Sequence, residues 1–418
     1  VNDEATQRAG PRLFAATLLS CLLIGTPAFS QTRLAVVIGH NQGGAARPPL
    51  RYAETDAARV RRALLEVGAV APDDLKLLKA PRLAEVEAAF GWARQRAATV
   101  RAAAQKSVLF VYVSAHGHEG KGVELGPEVL EWERLKALVR ASGADVKVAV
   151  IDACNASGVL KASGHPAEEF ALKAEDRLTV EGEAWITSSA ENEPSLEAGA
   201  LRGSVFTHHL VAGLRGAADR SADKKVSLEE LYRYAFERTT SGESGQHPGY
   251  AFRLAGYGEL EVADLSTAPA LVTLPPALDA VTVTEQGSGE SLAEVRHPLG
   301  RLLGFGPGRI DLRLLKGNQA YAAQLELAQG DRVAVDETQL ARIAVTTAQR
   351  VRLSRCLDVT VARPDPKLNG LKARLQGQCE TPEHATLSRS EQGRLKLELD
   401  GRVYEASSED ELLKAVAR

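Results

Sequence analysis

The sequence predicts an α/β fold, a mostly parallel sheet with helices on both faces, followed by a second, β-rich region. Three observations predict it. Continuous apolar runs, too uninterrupted for a half-solvated sheet, recur up to about residue 265. Segments with apolar residues at helical spacing separate them. Beyond residue 265 the pattern changes to short strand-like stretches punctuated by Gly and Pro.

The elements follow in order. Residues 34–39 form an apolar run ending in Gly39 and read as a buried strand. Residues 53–67 place Ala57, Val60, Leu64 and Val67 at helical spacing with charges between them. A short strand is expected at 75–78, a long helix at 82–104 and a central strand at 107–113. A helix at 131–141 precedes strands at 146–151 and 184–187, and helices follow near 205–215 and 228–239. Residues 266–280 contain Pro269, Pro275 and Pro276 and read as a linker between a domain at 31–265 and another at 281–418. In the second domain, strands are expected at 281–285, 309–315, 320–327, 332–335, 342–346, 350–361 and 394–399. A terminal helix over 408–417 would start on a Ser408–Glu411 cap.

Residues 13–25 are apolar and uncharged, follow Arg8 and Arg12, and precede small residues at Ala28 and Ser30. That is the order of a secretory signal peptide over 1–30, cleaved after Ser30. The expected protein is bacterial and exported, periplasmic or secreted. A membrane helix is a rival reading, but the run is short for a bilayer. A lipid anchor at Cys21 is another, although the apolar run continues past that Cys. No other stretch is long and apolar enough to span a membrane.

Lys and Arg number 51 against 54 Asp and Glu, a net charge of −3, which argues against nucleic acid held by a basic face. The 44% hydrophobic and 25% charged composition excludes a disordered chain. Four Cys are too few for a disulfide scaffold. After cleavage three remain. Cys356 and Cys379 are close enough in sequence to pair, which leaves Cys154 as a candidate nucleophile.

Two strand ends carry the chemistry. One ends Ser114-Ala115-His116-Gly117-His118, the other Asp152-Ala153-Cys154-Asn155-Ala156-Ser157-Gly158. Sites in doubly wound sheets lie at the carboxyl ends of strands, so His116 and Cys154 can face one crevice. A thiol needs a base or a cation to become a good nucleophile. Gly117 has no side chain, so its N–H and that of Cys154 can form an oxyanion hole.

Here the chain resembles the caspase-like cysteine peptidases: caspases, metacaspases and paracaspases. The matching pieces are Ile38-Gly39-His40-Asn41, the segment from Leu50 to Ala57, the His-Gly strand end and Asp-Ala-Cys-x-x-Ser-Gly. Thr187-Ser188-Ser189-Ala190 and Gly203-Ser204-Val205-Phe206-Thr207 follow in the family's order. The resemblance covers about 33–260. It implies a caspase fold, peptide-bond hydrolysis, His116 as base and Cys154 as nucleophile. It also implies that Asp152 lines the P1 pocket and favours Arg or Lys, whereas Arg51, near the place where caspases hold an acidic P1, keeps the opposite preference open. Ser188 and Ser189, in the stretch from Ser188 to Pro194, are expected to border the substrate groove.

Other features read more plainly. His118 is expected as a solvated loop residue and Asp56 as support for the first helix. Asp152 could instead cap the turn after its strand. His208 and His209 are helix neighbours, which do not share a face, so no metal site is assigned. Asp219, Ser221, Asp223, Ser227 and Glu230 match calcium-loop offsets, but Lys224 stands where the turn needs Gly. Ser227 and Glu230 also form a capping box, so no cofactor is assigned, with calcium kept as a test. Residues 159–182 suit an exposed cleavable loop. The expected partner is a protein or peptide substrate, and nothing fixes the oligomeric state. The alternatives are a non-catalytic caspase-fold scaffold or binding protein of the cell envelope, and a separase-like peptidase with a single protein substrate.

Overall fold

Apolar runs become strands of one sheet, and the segments between them become its helices. The computed structural model describes residues 31–161, 181–256, 259–343, 357–362, 383–390, 394–399 and 402–412, with 368 and 371, except for 46, 119, 191–192, 200, 242–245, 318, 338–339 and 410. The expected signal segment, the Cys356 and Cys379 pairing and most of the 159–182 loop lie outside the described residues.

The chain starts with β1 (Thr32–Gly39), α1 (Ala53–Glu66), β2 (Leu75–Lys79), α2 (Leu83–Ala102) and β3 (Ser107–Ser114). A small antiparallel meander follows, β4 (Gly117–His118), β5 (Gly122–Leu125) and β6 (Glu128–Glu131). Then come α3 (Trp132–Ala141), β7 (Val146–Asp152), the single turn α4 (Gly158–Lys161), β8 (Glu181–Thr187), β9 (Glu197–Ala198) and β10 (Gly203–Ser204). The region closes with α5 (Val205–Ala212), β11 (Lys225–Ser227), α6 (Leu228–Thr240), β12 (Gly249–Ala255) and β13 (Glu261–Asp264).

The main sheet has the order β12-β8-β7-β3-β1-β2. Its strands are parallel except β12, which pairs antiparallel with β8. Since β2 lies on one side of β1 and β3 on the other, α1 and α2 cross opposite faces. On one face Val60 and Leu64 of α1, Phe206 and Leu210 of α5 and Leu231 of α6 pack over Val37, Tyr112 and Val150. On the other, Val86 and Phe90 of α2 and Leu135 and Val139 of α3 cover Val36, Val111 and Ile151. Burial on both faces explains why these strands are continuously apolar. The expected capping box starts α6, with Ser227 Oγ accepting from the Glu230 amide at 3.2 Å and the Glu230 carboxylate accepting from the Ser227 amide at 3.0 Å.

The second region adds β14 (Ala270–Thr273), β15 (Ala280–Glu285), β16 (Ser291–Arg296), β17 (Leu302–Phe305), β18 (Gly308–Lys316), β19 (Gln319–Leu327), β20 (Arg332–Ala334) and β21 (Ala341–Ile343). These form sheets β17-β14-β20 and β16-β15-β18-β19-β21. A third sheet is β22 (Leu357–Val361), β23 (Glu383–Arg389), β24 (Leu395–Leu399) and β25 (Arg402–Ala406), in chain order. In β18, Ile310, Leu312 and Leu314 point inward and alternate with more exposed residues, the pattern of an antiparallel sheet with one wet face.

Two expectations change. The stretch at 266–280 is not a solvated linker, because it contains β14, whose Ala270, Leu271 and Val272 are buried. Its prolines flank the strand, where no ladder hydrogen bond is lost. The helix expected to reach 215 ends at Ala212 and opens into a π turn over Gly213–Ala217. That turn meets the second region: Ala212 and Ala217 share a core with Val272, Leu292, Phe305 and Leu312. Arg215 is buried there, paired with Glu66 of α1 at 2.6 Å, donating to Gly304 O at 3.0 Å, and 5.3 Å from the Phe305 ring centroid. Among the described residues, no helix is long and apolar enough to cross a membrane.

Candidate active site

The register of the sheet brings the two strand ends level. Ser114 of β3 is the partner of Asp152 of β7, and His116 and Cys154 each lie two residues beyond. Ala115 N–H donates to Asp152 O at 3.3 Å, which joins the two turns. Both residues line one cleft, with Asp56, Asp152, Ser195 and Glu197 around them.

His116 is buried, and its Nε2 lies 3.0 Å from Pro48 O. A carbonyl only accepts, so Nε2 bears the proton. Nδ1 is then the basic nitrogen, and it has no hydrogen-bond partner among the described residues. The loop that supplies Pro48 is clamped by Glu124 of β5. Its carboxylate accepts from Gly44 N–H at 2.8 Å, lies 3.4 Å from Arg47 Nε and 3.2 Å from His118 Nδ1. Its own N–H donates to His116 O at 2.8 Å. Burial pushes the Glu124 carboxyl up, but the Gly44 amide, His118 and Arg47 outweigh it and hold it below its ordinary value. His118, expected as a solvated residue, is therefore half-buried and bonded to this clamp.

Gly117 is forced by proximity. A Cβ there would sit 2.0 Å from Cys154 O, so no side chain fits between the two turns. The Cys154 sulfur accepts from Ser195 N–H at 3.3 Å. Asn155 follows with φ 55°, a left-handed turn that Asn tolerates better than most residues, and donates its N–H to Glu193 O at 3.1 Å.

Beside the thiol the cleft is acidic. Asp152 is buried and does not cap its own turn. It accepts from the Ser195 hydroxyl and, at 2.6 Å, from the Thr207 hydroxyl. Thr207 spends its proton on Asp152, so Tyr112 O–H donates to Thr207 at 2.6 Å. Burial, with Asp152 and Asp56 nearby, keeps the Tyr112 proton in place well above its ordinary range.

Asp56, expected only to support α1, also walls the cleft. It accepts from Ser204 N–H at 2.8 Å and lies 3.3 Å from Arg59 Nη1. Burial raises its pKa well above the ordinary value, against Arg59 and the Ser204 amide, and the neighbouring Asp152 and Glu197 push the same way. Glu197, not singled out from sequence, accepts from the amides of Arg51 and Tyr52 at 3.1 and 2.9 Å. Burial also raises it, and Asp152 adds to the effect. No Lys or Arg is among the described lining residues, and Arg51 is exposed.

Ser188 and Ser189 are corrected. Both are fully buried, and their hydroxyls donate to Ala153 O at 3.4 and 3.0 Å. They brace the Cys154 turn from behind, and Ser195 takes the place at the cleft. His208 and His209 are buried in α5. In the calcium-like stretch, Glu230 accepts the amides of Arg220 and Ser221, and Asp219 that of Lys224. Among the described residues no group of three His, Cys, Asp or Glu could hold a metal.

The family model for the caspase domain matches residues 32–255. The chain belongs to the caspase domain peptidase family. The match spans the sheet and every residue of the cleft, and it gives this chain the caspase α/β fold, with the β-rich region as an addition. Among solved structures, the Drosophila initiator caspase Dronc is similar at 11% identity, over 62% of this chain and 95% of that one, with a TM-score of 0.38. No curated protein matches.

Proposed function

We propose that the chain is an exported bacterial cysteine endopeptidase that cleaves after Arg or Lys, with Cys154 as nucleophile and His116 as base. The observation that carries this reading is the composition of the cleft. A thiol, an imidazole whose Nδ1 has no hydrogen-bond partner among the described residues and three carboxyl groups line it, and no Lys or Arg is among the described lining residues. A P1 Arg or Lys would satisfy Asp152 with charge-assisted hydrogen bonds in place of the Ser195 hydroxyl. An acidic P1 would bring one more carboxylate beside Asp56, Asp152 and Glu197, with no cation among the described lining residues to offset it. The apolar run at 13–25 supports export.

The chemistry uses groups of the protein alone. The Cys154 proton moves to His116 Nδ1 as sulfur bonds to the scissile carbon. The carbonyl electrons pass to oxygen, which accepts from the Gly117 and Cys154 amides. Collapse breaks the C–N bond, and the amine leaves with the proton from His116. Water then gives a proton to His116, attacks the thioester and releases the acid and the Cys154 thiol. Pro48 O holds the imidazole in the required tautomer throughout.

The test is turnover of peptides with Arg, Lys or Asp at P1 by residues 31–418, with and without calcium. Cleavage after Arg or Lys that disappears in Cys154→Ala is the expected result. Cleavage after Asp alone overturns the specificity, and retained turnover in Cys154→Ala overturns the mechanism.

A further inference from the structure

The acidic pocket is not built by the caspase domain alone. Arg59 of α1 is buried, with its side chain 3% exposed, directly behind Asp56. Its guanidinium is held on three sides. Nη1 faces Asp56 at 3.3 Å, Nη2 donates to Leu201 O at 3.2 Å, and Nε faces Glu290 at 3.4 Å. Glu290 belongs to the β-rich region, at the end of the turn between β15 and β16. The same turn accepts a hydrogen bond at Ser288 O from Arg202 at 2.6 Å. Arg202 adjoins Gly203 and Ser204, the residue whose amide binds Asp56. Gly203 leaves room for the ion pair, since a Cβ there would lie 2.2 Å from Arg59 Nη1 and 2.5 Å from Asp56 Oδ1.

We infer that this turn is a specificity-determining part of the P1 pocket, with Glu290 as a positioning residue that acts through Arg59 on Asp56. The inference rests on the basic-P1 reading. Its physics is a charge count. Asp56 and Arg59 alone would cancel, which would leave the pocket with two effective carboxylates. Glu290 makes the trio net negative and turns the guanidinium so that only one edge faces Asp56. Asp56 then keeps attraction for a P1 cation that a two-member pair would lose. Glu290 lies outside the cleft wall and is 22% exposed at its side chain, and in Glu290→Gln the amide oxygen remains to face the buried Arg59 Nε, so the change removes the charge and keeps an acceptor there.

The experiment uses residues 31–418 with Glu290→Gln and Glu290→Asp. Two peptides differ only at P1, one with Arg and one with citrulline, its uncharged isostere. Glu290→Gln should raise KM for the Arg peptide about fivefold with kcat within about twofold, and leave the citrulline peptide unchanged. Glu290→Asp should restore most of the loss. A wild type that prefers Arg, combined with a Glu290→Gln variant whose KM is unchanged or shifts equally for both peptides, overturns the inference and leaves the turn as a structural tie. A wild type with no preference for Arg over citrulline overturns the pocket reading itself, and this inference with it.

Discussion

At the scale of single residues, three carboxyl groups, Asp56, Asp152 and Glu197, crowd around the cleft that we propose takes a cationic P1 side chain. Burial, with the nearby Asp152 acting in the same direction, disfavours the charged forms of Asp56 and Glu197 and raises both above their ordinary values. The sign follows. A carboxyl with a raised folded value contributes stability that is complete below its unfolded value, 3.8 for Asp56, and is lost as pH rises through the folded value. A cationic ligand prefers the ionised form, so it binds more tightly as pH rises over the same window. Benzamidine should therefore raise the thermal midpoint more at pH 8 than at pH 5, as read by differential scanning fluorimetry. Asp152→Asn should lower kcat/KM for an Arg peptide about 10²-fold, through loss of a buried charge partner. Gly117→Ala forces the Cys154 turn away from the oxyanion position, and kcat should fall about 10²- to 10³-fold in stopped assays with little change in KM.

Elements set what those residues can do. The β3 and β7 ends were legible because strand runs and the motifs at their ends are local. The placement of His116 and Cys154 at one cleft followed from parallel register. Glu124 and Glu197 were not legible, since each acts through amides 80 and 146 residues away along the chain. A weak signal existed for Glu124, a lone carboxylate in the apolar strand Gly122–Leu125. Ser188 and Ser189 were misplaced because a motif gives position in the chain, not which side of a turn a hydroxyl faces. Glu124→Gln tests the clamp. With weaker hold on Gly44 and Arg47, the Pro48 carbonyl should wander from His116. Steady-state kinetics should show kcat reduced about tenfold and the acid limb of its pH profile displaced, with a midpoint of unfolding close to wild type.

At the scale of the molecule, the β-rich region is fused to the caspase domain by buried contacts rather than tethered to it. That was hidden in the sequence, because prolines at 269, 275 and 276 look the same beside a strand as in a linker. The π turn at Gly213–Ala217 and the β14 strand make the joint, and Arg215 is its most buried charge. Arg215→Met should leave Glu66 and Gly304 O short of a partner and cost about 3 kcal/mol in urea unfolding, with one transition rather than two. Two separate transitions would instead show that the regions unfold independently.

The Ser195 contact with Asp152 and Cys154 has a consequence for every ligand of the pocket. A tethered hydroxyl competes at a fixed local concentration that dilution of the protein cannot lower. On the proposed reading that Asp152 takes a P1 cation, the measured affinity of such a cation is its intrinsic affinity multiplied by the fraction of molecules whose Asp152 is open. Large and small cations share this discount equally. Removing the Ser195 hydroxyl should tighten all of them by one common factor, and that factor is one plus the equilibrium constant for seating the hydroxyl on Asp152.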